Sequence, residues 1–88
     1  MYWVSTIAGS GKIGYKDGIG KEAEFDGPCG IIISRDGKDL FIVDLENACI
    51  RRVSLADGTT STVAGIPGIM RRSLSAYFSL FYRKAFNL

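Results

Sequence analysis

The chain has 88 residues, 47% of them apolar, and 11 Lys/Arg against 9 Asp/Glu give a formal charge of +2. This allows one small globular domain and excludes a disordered acidic or basic tail. The absence of histidine excludes Ser-His and Cys-His nucleophile pairs and every histidine-based metal site. A non-enzymatic chain without a cofactor is expected, the alternative being a fragment of a larger enzyme that is inactive alone.

Trp3 to Ala8 is rich in β-branched and aromatic residues and reads as a strand. Gly9 to Gly27 follows with six glycines, the mark of a long loop with several left-handed positions. Within it Ala23 and Phe25 read as apolar pegs that pin the loop to a sheet. Pro28 to Gly30 lead into Ile31 to Ser34, a strand. Arg35 to Lys38 is a hairpin turn, because Asp36-Gly37 supplies positive φ. Asp39 to Asp44 is the next strand, Leu45 to Ala48 a short turn, and Cys49 to Leu55 a third strand. A second Asp-Gly turn, Ala56 to Thr59, leads to Thr60 to Ala64, and Gly65 to Gly68 ends the unit.

This order predicts four antiparallel strands in a meander. The first two are apolar at consecutive positions (Ile31 to Ile33, Leu40 to Val43), the pattern of a sheet covered on both faces. Cys29 and Cys49 would begin the first and third strands, about 9–10 Å apart at two strand spacings. That is beyond disulfide reach, and buried, reduced thiols are expected.

The chain also repeats itself. Val4 to Gly9 reads VSTIAG, and Thr60 to Gly65, fifty-six residues later, reads TSTVAG. A fixed period is the signature of an array whose units stack on their neighbours.

The order Ala8-Gly9, Asp17-Gly18, Ala23 and Phe25, Pro28, Gly30-Ile31, Asp44, Asn47, Ile50-Arg51 and Ser61 to Gly65 resembles an NHL repeat. The resemblance covers about residues 4 to 65. It implies an all-β fold: a four-stranded antiparallel propeller-blade meander with an extra N-terminal strand, part of a roughly six-bladed binding platform. On this reading residues 1–8 are the last strand of a preceding blade and residues 9–68 are one repeat. Asp44, Asn47, Ile50 and Arg51 form its structural motif. Asp44 at a strand end is expected to accept backbone N–H groups of the turn. Asn47 would close that turn in left-handed backbone, and Arg51 would reach back to Asp44 as a bidentate pair. NHL propellers also include RNA-engaging ubiquitin ligases and a metal-using peptide-amidating lyase. Here there is no histidine for the metal and no basic blade surface for RNA. The acidic loop residues Asp17, Glu22, Glu24 and Asp26 do not follow the spacing of a calcium loop and read as solvated.

Residues 69–88 depart from the family pattern. Met70, Leu74, Tyr77, Phe81, Ala85 and Leu88 recur at helical spacing, so a basic amphipathic C-terminal helix is expected. The segment holds Arg71, Arg72, Arg83 and Lys84 and no acid, whereas residues 1–68 carry seven basic and nine acidic residues, a net −2. Such a helix can cover the chain's own sheet, or sit on a membrane surface or in a partner groove, or have no selected role. Arg71, Arg72, Phe78, Phe81, Arg83 and Lys84 are the candidate contacts. The expected partner is protein, by self-association or with further blades; nucleic acid is disfavoured. No signal peptide or transmembrane run is visible, and cytoplasm is the default expectation.

Overall fold

The computed structural model describes residues 3–65. These form one open, all-antiparallel sheet of five strands in the order β1-β5-β4-β3-β2. The strands are β1 (Gly18–Ile19), β2 (Pro28–Ile33), β3 (Asp39–Asp44), β4 (Cys49–Ser54) and β5 (Thr59–Gly65). Hairpins join β2 to β3, β3 to β4 and β4 to β5.

The tight turns follow from their residues. Gly37 and Gly58 take positive φ, 75° and 76°. Asp36 accepts the Ser34 hydroxyl and the Lys38 amide, and Asp57 accepts the Thr59 amide. These hydrogen bonds favour the ionised carboxyls and hold both below the usual aspartate range. Pro28 opens β2, an edge strand, where its missing donor breaks no ladder. Bulges interrupt the pairing between Pro28 and Gly30 and between Ile50 and Arg51.

The predicted fold class needs correction at the N-terminal end. Trp3 to Ala8 is not a strand. Trp3 is 90% and Val4 94% exposed, and residues 3–8 make no hydrogen bond with the described residues. The sequence counterpart of this segment, residues 60–65, pairs with β4; the described residues contain no second β4 for residues 4–9. An unpaired strand leaves its backbone groups to water and gains nothing from extension. The fifth strand comes instead from the glycine-rich loop, where Gly18 pairs with Thr60 and Ile19 with Thr59. No α-helix occurs among the described residues, only a 3-10 turn at Gly20–Glu22. The predicted helix over 69–88 lies outside the described residues.

Cross-strand partners share a face of the sheet. Ile31, Ile42, Arg51 and Thr62 form one row, and Ile33, Leu40, Val53 and Thr60 the next. The glycine-rich loop packs against this face. The opposite face carries the apolar cluster of Val43 and Ile50 with Phe41, Leu45, Val63 and Ala64. The consecutive isoleucines of β2 led to an expectation of cover on both faces, yet Ile31 is 60% and Ile33 48% exposed. They lie at the sheet edge, on the loop face but beyond the loop. Below them opens a groove of about 430 Å³ between residues 5–8 and the sheet, lined by Phe25, Ile31, Leu40, Ile42 and Val53.

Candidate functional site

The most elaborate side-chain arrangement among the described residues is centred on Arg51. β4 presents this residue to the loop face, where it is fully buried. One terminal nitrogen, Nη1, donates to Asp44 Oδ2 at 2.7 Å and to the Glu24 carbonyl at 2.8 Å. The other, Nη2, donates to the Lys16 carbonyl at 2.7 Å and to Asp17 Oδ1 at 2.9 Å. The guanidinium lies between the rings of Tyr15 and Phe25, 4.8 Å from each centroid, a position in which both ring faces attract the cation. Its Nε has no hydrogen-bond partner among the described residues.

Asp44, also fully buried, is saturated with donors. Besides Arg51 it accepts the Asp26 amide at 2.7 Å and Asn47 Nδ2 at 2.9 Å. The same Asn47 amide donates to the Gly14 carbonyl at 2.9 Å. Thr62 of β5 donates to Asp17 at 3.1 Å. Its single proton is thereby committed, so the 2.6 Å contact with Tyr15 has the phenol as donor. A continuous polar chain thus runs Tyr15, Thr62, Asp17, Arg51, Asp44, Asn47.

Every loop residue in this chain lies between Gly14 and Asp26. The arrangement is a clamp: three strands and a turn hold the glycine-rich loop at several points. A buried ion pair held by this many hydrogen bonds fixes one conformation more than it adds stability. No nucleophile, free base or open coordination position is left in it, and no group of three Cys, Asp or Glu side chains among the described residues is placed to hold a metal ion.

Of the motif read from the sequence, Asp44, Asn47 and Arg51 meet, while Ile50 points to the opposite face and packs with Val43. Three details differ from expectation. The Asp44–Arg51 contact is a single hydrogen bond, because the second arm of the guanidinium is engaged by the loop. Asp44 takes its amide from Asp26 rather than from its own turn. The left-handed residue of that turn is Ala48, at φ 52°, not Asn47. The roles of Tyr15, Asp17 and Thr62 were missed; Asp17 joins the clamp while its side chain stays 46% exposed. The available signal was stoichiometric: a buried Arg has five donors, and Asp44 alone could not satisfy them. Phe25 and Ala23 do pin the loop, with Ala23 fully buried.

The two thiols differ. Cys49 is buried, but Cys29, expected inside, is exposed, because it sits at the bulge of the edge strand. Burial, with the Asp44 carboxylate adding to it, pushes the Cys49 thiol from 9.0 up to about 11. The tail candidates Arg71, Arg72, Phe78, Phe81, Arg83 and Lys84 lie outside the described residues. No helix among the described residues is long and apolar enough to cross a membrane.

No family model matches the chain, and no solved structure matches it. Two curated proteins are similar over part of it. The first is Protein SUPPRESSOR OF QUENCHING 1, chloroplastic, of Arabidopsis thaliana, 42% identical over 60 residues. That match covers 68% of this chain and 6% of the relative. The second is NHL repeat-containing protein 2 of Bos taurus, 42% identical over 53 residues, covering 60% of this chain and 7% of the relative. The chain therefore spans less than a tenth of either relative. The all-β sheet and the second match are compatible with one unit of an NHL-type array.

Proposed function

We propose that the chain is an NHL-type blade unit that serves as a non-catalytic protein-interaction module, built to be completed by neighbouring units. The observation that supports this most is the fifty-six-residue period: the sequence of β5 recurs before the glycine-rich loop, as it would at the join of consecutive units. The 42% identity to an NHL repeat-containing protein adds to it. So does the face carrying exposed Ile31 and Ile33, which a neighbouring unit would cover.

The reading is tested with a chimera in which residues 4–65 replace the matched segment of the bovine NHL repeat-containing protein 2. A blade unit yields a soluble chimera that unfolds in one cooperative transition close to that of the parent. A chimera that aggregates, or that unfolds with a separate early transition, rejects the reading.

A further inference from the structure

The two copies of the repeated hexapeptide are in opposite states. Residues 60–65 are ladder-paired to β4, and residues 4–8 have no ladder partner among the described residues. Yet residues 4–9 match every requirement of the β5 position. At Thr62, which bonds Asp17 and Tyr15, the corresponding residue is Thr6. At Gly65, with φ 86° and its Cα packed against Cys49, the corresponding residue is Gly9, already at φ 110°. Ser5 and Ala8 are identical to Ser61 and Ala64.

The two differences favour the N-terminal copy. Thr60 is 1% exposed and sits opposite Val53, and its hydroxyl has no hydrogen-bond partner among the described residues. Val4 would fill the same space without an orphaned hydroxyl, whose burial is unfavourable. It would also bury a side chain that is now 94% exposed. Ile7 supplies one methylene more than Val63.

We propose that residues 4–9 of one copy replace β5 on β4 of a second copy, so that the chain associates by strand exchange. Reciprocal exchange of an element that each copy already possesses is a low-cost route to a dimer. Val4 then faces Val53 of the second copy, Ser5 faces Arg52, Thr6 faces Arg51, Ala8 faces Ile50 and Gly9 faces Cys49, in the register of the native ladder. The second copy also supplies what the open groove lacks. Residues 5–8 line that groove and are tethered by the Gly9 amide to the Gly20 carbonyl at 3.0 Å. Seating them on another sheet brings that sheet to Ile31, Leu40 and Ile42. The proposal deepens the blade reading, on which it rests for the identity of the two hexapeptides.

Light scattering of the full chain over a range of concentrations tests it. The expected mass rises from one chain to two. With Ser5→Pro and Thr6→Pro together it stays at one, because adjacent prolines remove donors from both edges of the segment. Residues 3–8 make no hydrogen bond with the described residues of the single chain, so these changes should shift its unfolding midpoint little. Thr60→Val, which gives β5 the advantage of its rival, raises the concentration for half-association about tenfold. The register is read by mixing a Val4→Cys chain with a Val53→Cys chain, each also carrying Cys29→Ser and Cys49→Ala. Oxidation gives a mixed disulfide, and Arg52→Cys in place of Val53→Cys gives none. A single-chain mass at all concentrations, association indifferent to the two prolines, or association without the mixed disulfide overturns the exchange. If the exchange fails while the chimera folds, the blade reading stands alone; a misfolded chimera beside proline-sensitive association gives the reverse.

Discussion

Asp44 and Arg51 meet diagonally across β3 and β4: Asp44 is opposite Cys49, and Arg51 is opposite Ile42, two positions along. The offset lets the guanidinium reach Asp44 with one arm and the loop with the other. Removing one member of a buried pair strands the other charge, at about 3–5 kcal/mol. Arg51→Met is expected to lose that much and to release the loop. Arg51→Met with Asp44→Leu should lose less than Arg51→Met alone. Urea unfolding of both variants measures this; equal losses would mean that the ion pair is not what suffers.

Gly65 presents a different vulnerability. A methyl there would overlap the Ala48 carbonyl and lie 2.8 Å from the Cys49 Cα, and the backbone is left-handed at φ 86°. Gly37 has a similar φ of 75° with nothing nearby. Gly37→Ala should therefore cost only the left-handed penalty of about 1–2 kcal/mol. Gly65→Ala adds a backbone collision and should cost clearly more. Thermal midpoints of the two variants compare them directly, and a Gly65→Ala midpoint at or above that of Gly37→Ala contradicts the collision.

Asn47 donates one amide nitrogen to both Asp44 and the Gly14 carbonyl. Asn47→Ala loses those bonds, about 1–2 kcal/mol. Asn47→Asp should be worse at neutral pH, since a second carboxylate then faces buried Asp44. The extra loss should shrink as the pH is lowered toward 4. A pH-independent difference between the two variants would place the new charge in solvent instead.

Cys49 gives a pH dependence with a definite sign. Its folded thiol ionises near pH 11, against 9.0 ordinarily, so the unfolded chain loses its proton first. Stability from this group is full below pH 9 and is lost as the pH rises toward 11. Cys49→Ala should flatten that part of the stability–pH curve. In the same samples exposed Cys29 should react rapidly with an alkylating reagent, and Cys49 only on unfolding.

The strand pattern from Pro28 to Gly65 was legible because its punctuation is chemical: two Asp-Gly turns and apolar runs of strand length. The Asp44, Asn47 and Arg51 grouping was legible through the resemblance. Tyr15, Asp17 and Thr62 were not, since their partner lies 34 to 47 positions away along the chain and no local pattern encodes such a distance. The N-terminal segment misled for the opposite reason. Its local propensity is that of a strand, but a strand exists only where another offers it a ladder.

The clamp also orders events in time. Arg51 holds Lys16 and Asp17 from 35 and 34 positions away, while the hairpins that bury it close over a few residues each. Short closures come first and long ones wait. The glycine-rich loop can dock only on a hairpin pair that has already formed Asp44 and Arg51 into a receptor. Loosening the clamp should thus hasten unfolding and leave the folding rate nearly untouched, making the loop the last part to arrive and the first to leave.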